Sequence, residues 1–287
     1  MFLNCNLNAA IQAAGFYQRC FVPPFPSDAG GAVGAALYAA FGAGRERFIP
    51  AAEPFSPFLG PEYGDAEIAA ALGGSGLSYR RVSDPGEAAA RALAERKVVG
   101  WLQGRAESGP RALGARSILA NPMDPGIQEY LNAKIKNREF FQPFAPLITE
   151  GAALKYFHLE APLPSSVLYM LLTVDVRKEY RERLPGITHV DGTARVQVLR
   201  REWSPRLYAL LREFERLTGF AVVINTSFNQ HEPIVCSPAD ALKTFRASGL
   251  DLLVMGGIVV EPPVRRDAPQ RQSRSSAASM SGSGIAP

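Results

Sequence analysis

Apolar and polar positions alternate in two different rhythms along the chain, and the rhythm changes several times after about residue 76. Asp84-Pro85-Gly86-Glu87 predicts a helix to about Arg96: a capping Asp, Pro at the first helical position and an acid in the first turn. The unbroken run Val98 to Leu102 (VVGWL) predicts a short buried strand. Asp124-Pro125 predicts a second helix, through Asn137. Val167 to Val176 (VLYMLLTVDV) reads as a central strand. Thr193 to Leu199 alternates, with Thr193, Arg195 and Gln197 on one face and Ala194, Val196 and Val198 on the other. Leu207, Leu210, Leu211, Phe214 and Leu217 recur at helical spacing between Ser204-Pro205 and Gly219. Ala221 to Asn225 is a further strand. Ser237-Pro238 opens a helix to about Ala247, and the runs LDLLVM and IVVEP follow as strands. Helices alternating with strands predict an α/β fold, with helices packed on a mixed sheet.

The earlier part of the chain reads differently. Residues 1–44 hold a helix start rich in small residues, the apolar stretch RCFVPP, and a Gly-rich turn opening an Ala-rich helix. Residues 45–75 are rich in Pro, Gly and aromatics, and predict a connector with one short helix near Asp65 to Leu72. From residue 264 the chain is Arg/Ser/Ala/Gly-rich with almost no large apolar residue, which predicts a disordered tail. No internal repeat is present.

Composition narrows the function classes. The chain has 287 residues, 47% hydrophobic and 20% charged, as in a soluble globular protein of one large or two smaller domains. The net charge of +4 comes without a dense Lys/Arg block, so a nucleic-acid-binding arm is excluded and a solvated surface is the simplest reading. Cys5, Cys20 and Cys236 form neither a disulfide framework nor a metal spacing, which fits a reducing cytoplasm. No apolar run reaches membrane-span length, and the N-terminus lacks the basic start and long apolar core of a signal peptide. His158, His189 and His231 form no HxxxH or HExxH pair.

Candidate chemistry concentrates in a few segments. GRAESGPRALGARSILANP (Gly104 to Pro122) carries Arg105, Arg111 and Arg116 just after a strand, where α/β proteins place ligands. Gly104, Gly109 and Gly114 would let backbone approach a ligand, and paired guanidinium donors suit phosphate oxygens. The alternative is a surface turn held by carboxylates such as Glu107. The spacing matches neither a P-loop nor a dinucleotide fingerprint. In NAKIKNREFFQPFAP, Lys134 and Arg138 share a helix face at a helix end that the dipole also favours for cations, and Phe140, Phe141 and Phe144 read as a packed wall. Arg195 is either an edge-strand charge or a group aimed into a polar pocket. INTSFNQHEPIV ends a buried strand in Asn225, Thr226, Ser227 and Asn229, either ligand contacts or a capped turn. Asp28 precedes two glycines at a helix start, as an N-cap or as a metal or phosphate-site carboxylate.

Taken together, GPRALGARSILANP, NAKIKNREFFQPFAP, THVDGTARVQVL, NTSFNQHEPIV and SDAGGAVGAALY resemble the O-carbamoyltransferase family of nodulation-factor and antibiotic biosynthesis, in order from about Asn4 to Pro262. The resemblance implies a YrdC-like mixed-sheet domain over residues 76–263, preceded by a remnant (1–44) of an actin-like (ASKHA) transferase domain, a connector (45–75), and followed by a tail (264–287). It implies that ATP with Mg²⁺ and carbamoyl phosphate meet at the YrdC-like site to form carbamoyl-adenylate. Arg111 and Arg138 would then clamp phosphates and Lys134 would supply a point charge at the reacting centre. Arg105, Arg116 and Arg195 would add substrate and nucleotide contacts, and Ser227 and Asn229 would hold the carbamoyl group or the nucleotide. Asp28 matches the family's late metal-binding aspartate, but the two histidines that accompany it have no counterpart here, so the iron or other divalent-metal site is expected to be incomplete. The expectation is a truncated or split cytoplasmic transferase that takes a small-molecule hydroxyl acceptor, binds no nucleic acid or membrane, and relies on a separate polypeptide for the N-terminal half. The alternative is a non-catalytic binding subunit that waits for that partner, with the apolar surface of residues 1–44 as its mark. A double-stranded-RNA-binding YrdC relative has the charge for phosphates but would need a basic stripe that the sequence lacks.

Overall fold

The structure, a computed structural model, describes residues 1–17, 20–42 and 54–262. The boundary expected at 44/45, much of the first half of the connector and the tail from 264 lie outside the described residues. The strands are β1 (Tyr79–Arg81), β2 (Val99–Leu102), β3 (Arg116–Ala120), β4 (Ala145–Ile148), β5 (Thr173–Asp175), β6 (Thr193–Arg195), β7 (Gln197–Val198), β8 (Val222–Ser227), β9 (Leu252–Met255) and β10 (Ile258–Val260). The α-helices are α1 (Cys5–Ala13), α2 (Gly31–Leu37), α3 (Asp65–Leu72), α4 (Pro85–Ala94), α5 (Ile127–Tyr130), α6 (Glu150–Tyr156), α7 (Lys178–Arg181), α8 (Pro205–Thr218) and α9 (Pro238–Ser248).

An eight-stranded mixed sheet runs in the order β1-β10-β9-β2-β3-β8-β4-β7, and β5 pairs with β6 apart from it. The pairs β2–β9 and β4–β7 are parallel. Side chains alternate between two buried faces, which is why the central strands read as continuous apolar runs. Val99, Trp101, Leu119, Val223 and Val254 pack with Leu93 of α4 and Leu207, Leu211 and Phe214 of α8. Leu102, Ile118, Ile224, Leu253 and Met255 fall in the opposite core with Ile68 of α3 and Phe245 of α9. Two helix starts are capped as the sequence predicts, whereas Ser204 makes no side-chain capping bond and the helix expected at Asp124-Pro125 begins only at Ile127. The Asp84 carboxylate accepts the Glu87 N–H at 2.9 Å, and Ser237 and Asp240 form a capping box.

Three expectations are corrected. Val167 to Val176 is not a central strand: Ser165–Tyr169 is a 3₁₀ turn, and only Thr173–Asp175 is extended, in the small sheet. The run is apolar because Val167, Tyr169 and Leu171 are fully buried, a requirement that a compact turn meets as well as a strand. The true neighbours of β8 are β3 and β4, from RSILA and APLI, which the pattern does not mark as strands. The helix after Asp124 stops at Tyr130 and continues as a π-helical turn, Leu131–Lys136, after which Asn137 is left-handed at φ 44°. The predicted face shared by Lys134 and Arg138 therefore does not form.

The N-terminal segment packs on this body. Asn8 Nδ2 donates to the Leu171 carbonyl at 2.8 Å, and Cys5 Sγ donates to the Met170 carbonyl at 3.5 Å. Its outer side leaves Phe16, Tyr17, Phe21 and Tyr38 exposed. Among the described residues, no helix is long and apolar enough to cross a membrane.

Candidate anion-binding site

The loop between β2 and β3 is organised around a carboxylate. Glu107 Oε1 accepts the N–H groups of Leu113 and Ala115 at 2.7 Å and of Arg116 at 3.2 Å. Those amides therefore serve the loop itself. Gly109 (φ +107°) and Gly114 (φ +112°) lie in a region closed to other residues, and a Cβ there would strike the Pro24 carbonyl and the Leu207 side chain respectively. Both glycines admit close approach by protein, not by a ligand as the sequence suggested.

The three arginines of this stretch separate. Arg116 is 1% exposed. It donates to the carbonyls of Cys236 (2.9 Å), Gly104 and Pro61 (both 3.1 Å), so it ties together the strand, the loop and the connector. Arg105 is exposed and donates to the carbonyls of Gly60 (3.0 Å) and Leu59 (2.6 Å). Neither lies in the wall of the pocket that receives Arg111, and the contacts they make in the structure are to backbone carbonyls.

Arg111, Arg138 and Arg195 converge on a small cavity of about 90 Å³, shared with Asn225, Thr226 and Ser227 and with no carboxylate among the described residues of its wall. Arg111 comes from the loop, Arg195 from β6, Arg138 from the segment after the π turn, and the polar triplet from β8 and its end. Arg111 Nε and Arg195 Nε are buried without a hydrogen-bond partner among the described residues. Arg138 Nε donates to Asn132 Oδ1 at 2.8 Å, and its guanidinium lies 4.8 Å from the centre of the Phe144 ring. Burial, and next the Arg111 charge, push Arg195 down to about 10. Burial also lowers Arg138. Clustered cations without counter-charge are costly in a low dielectric, and an anion removes that cost. Phe144 is buried as expected, whereas Phe140 and Phe141 are exposed and are not part of a packed wall.

The buried lysine of this region is Lys136, which sequence reasoning missed. Neither Lys134 nor Lys136 is in the pocket wall; Lys134 is exposed, whereas Lys136 bonds the wall residue Ser227. Lys136 is 4% exposed, and its Nζ, with three N–H donors at most, shares them among four acceptors within reach: Ser227 O (2.8 Å), Ser227 Oγ (3.1 Å), Asn229 O (2.8 Å) and Asn229 Oδ1 (2.7 Å). Burial pushes it down to about 7, and the Arg138 charge adds to that effect, while Glu232 opposes it. Ser227 and Asn229 thus seat the lysine, and Ser227 also lines the cavity. The π turn shifts the helical phase, so α-helical spacing points to the exposed Lys134 and not to the buried Lys136. The available signal was Lys136 directly after Ile135, a buried apolar position.

A second set of buried amides fixes the loop. Asn225 Nδ2 donates to the Ala112 carbonyl (3.0 Å) and to Gln197 Oε1 (2.6 Å), while Gln197 Nε2 donates to the Leu113 carbonyl (2.6 Å). The residues next to Arg111 are therefore held from β7 and β8. Arg111 itself donates to the Leu3 carbonyl at 3.4 Å. Asp28 is exposed in the turn Asp28–Gly30, and among the described residues no group of three or more His, Cys, Asp or Glu side chains is placed to hold a metal.

Residues 90–262 match the family described as the carbamoyltransferase C-terminus, and residues 1–37 match the carbamoyltransferase N-terminus. Nodulation protein NolNO of Sinorhizobium fredii is 38% identical over 278 residues, covering 94% of this chain and 40% of that protein. Nodulation protein NolO of Bradyrhizobium diazoefficiens is 39% identical over 266 residues, covering 90% and 47%. An uncharacterized protein of Synechocystis is 39% identical over 301 residues, covering 94% and 47%. The chain spans less than half the length of these curated relatives. Among solved structures, full-length HypF in its phosphate- and nucleotide-bound form aligns at 20% identity and a TM-score of 0.45, covering 62% of this chain and 25% of that one.

Proposed function

The chain belongs to the carbamoyltransferase family, and from that premise we propose that the arginine pocket binds carbamoyl phosphate for the formation of carbamoyl-adenylate. The observation that carries this reading is the convergence of Arg111, Arg138 and Arg195 on one carboxylate-free cavity, with the Nε donors of Arg111 and Arg195 unused. At about 90 Å³ the cavity is far below the several hundred Å³ of ordinary ligand pockets, so it suits a small anion and leaves the nucleoside outside.

The chemistry balances as two displacements. Water cleaves carbamoyl phosphate to carbamate and phosphate. A carbamate oxygen then attacks the α-phosphorus of ATP, and the bond to pyrophosphate breaks. The second step brings two anions together, and in both steps fixed guanidinium donors stabilise the charge that develops, each donor contributing about 3 kcal/mol. Arg111 and Arg138 hold phosphate oxygens, and Arg195 joins them from β6. Lys136 takes the role expected of Lys134, held behind the pocket-lining Ser227 by its bonds to Ser227 and Asn229. With no carboxylate among the described residues of the wall, substrate phosphates and not this pocket's side chains would hold Mg²⁺, which would supply charge neutralisation to ATP. Residues 76–263 are read as the YrdC-like adenylating domain in a cytoplasmic enzyme.

Transfer to a hydroxyl acceptor needs more than these residues supply. A single exposed carboxylate, Asp28, does not hold a divalent metal. The transfer site is assigned to residues beyond this chain, on the same polypeptide or another, with Asp28 as one ligand.

Carbamoyl-phosphate-dependent exchange of pyrophosphate into ATP tests the reading. R111M, R195M and K136M should each lower exchange about a hundredfold or more, and K134M should leave it within about twofold. Exchange that is absent from the folded protein, or indifferent to the loss of Arg111 and Arg195, would exclude the reading.

A further inference from the structure

Asn225 is 1% exposed and forms part of the pocket wall, yet its Oδ1 is buried with no donor among the described residues. Its orientation is fixed chemically. The Ala112 carbonyl can only accept, so Nδ2 must face it, and the Leu113 carbonyl likewise fixes Gln197 with its Oε1 toward Asn225 Nδ2. The amide cannot turn over, and the unused atom is an acceptor. It shares one small wall with three guanidinium groups, two of which hold unused donors. A simple oxyanion would answer the arginines and leave Oδ1 without a donor. A ligand carrying an –NH₂ beside its oxyanion answers both.

We propose that Asn225 is the specificity-determining residue of the pocket: its Oδ1 accepts from the carbamoyl –NH₂ and so selects carbamoyl over acyl phosphates. This rests on the carbamoyl phosphate reading above. A site built to bond an N–H penalises the analogue that lacks it, because its acceptor stays buried and unpaired.

The test is calorimetric titration of the full chain with phosphonoacetamide and acetonylphosphonate, stable phosphonates that differ as –NH₂ against –CH₃ on the same carbonyl. The native chain is expected to bind the amide at least about tenfold more tightly. N225L should bring the two affinities within about twofold. That variant also cuts the bonds to Ala112 and Gln197, so Q197L serves as the comparison: it loosens the same loop, keeps the acceptor, and should weaken both ligands while the tenfold ratio survives. Equal binding by the native chain overturns the inference and leaves the carbamoyl phosphate reading standing. Loss of the ratio in Q197L also overturns it, since loop position and not the acceptor would then set selectivity. Binding of neither compound overturns both. Should N225L fail to fold, the native ratio together with Q197L decides.

Discussion

Arg111 and Arg116 are alike in sequence and opposite in consequence. Arg116 spends its donors on carbonyls, those of Gln103 and Ala115 buried and those of Pro61, Gly104 and Cys236 partly so, and R116M should cost about 2 kcal/mol or more, read from a denaturant melt. Arg111 faces Arg195 across the cavity and lowers its proton affinity. R111M should leave stability unchanged or raise it, while anion binding is lost. Lys136 gives a pH signature. The folded chain releases its proton at about 7, whereas an unfolded lysine does so near 10.4. Between those values unfolding takes up a proton, so this group makes stability rise with pH across that window, and below it the buried charge is a full penalty. Chemical melts from pH 6 to 10 should show K136M with a flatter profile than the native chain.

At the scale of elements, the Arg111 loop is placed from both sides, by α8 at Gly114 and by the N-terminal segment at Gly109. G109A combines an unfavourable left-handed backbone with a collision against the Pro24 carbonyl, and should cost about 2 kcal/mol or more and weaken phosphate binding. The central helices and strands were readable because their caps and alternation are local facts: Asp84 with Glu87, Ser237 with Asp240, and the leucine stripe of α8. Elements that depend on partners were not. β3 begins with a buried arginine whose acceptors come from Pro61, Gly104 and Cys236, none of which the local pattern reveals. Arg111, Arg138, Arg195 and Ser227 were named from sequence and do converge. Lys136 was missed because a π turn changes the period, and Gln197 because its role depends on a carbonyl far away in sequence.

For the molecule as a whole, three remote stretches supply one charge cluster, and a fourth its polar wall, which folding must assemble against the repulsion of the cations. Binding of an anion therefore stabilises the native state, and free phosphate at a hundred times its dissociation constant should add about 2.7 kcal/mol. The measurement is a thermal melt in phosphate against one at matched ionic strength. An equal response from R111M would mean that the ion acts elsewhere. The N-terminal segment belongs to the same assembly, since α1 bonds the Met170 and Leu171 carbonyls and Met170 lines the cavity.

Glu107 carries one more consequence. Because its carboxylate consumes loop amides that would otherwise form a backbone nest, whatever enters is gripped mostly by guanidinium charge, which reads size and valence more than shape. Chloride and sulfate should therefore compete for entry, and titrations in chloride buffers will understate an affinity that acetate or glutamate salts reveal.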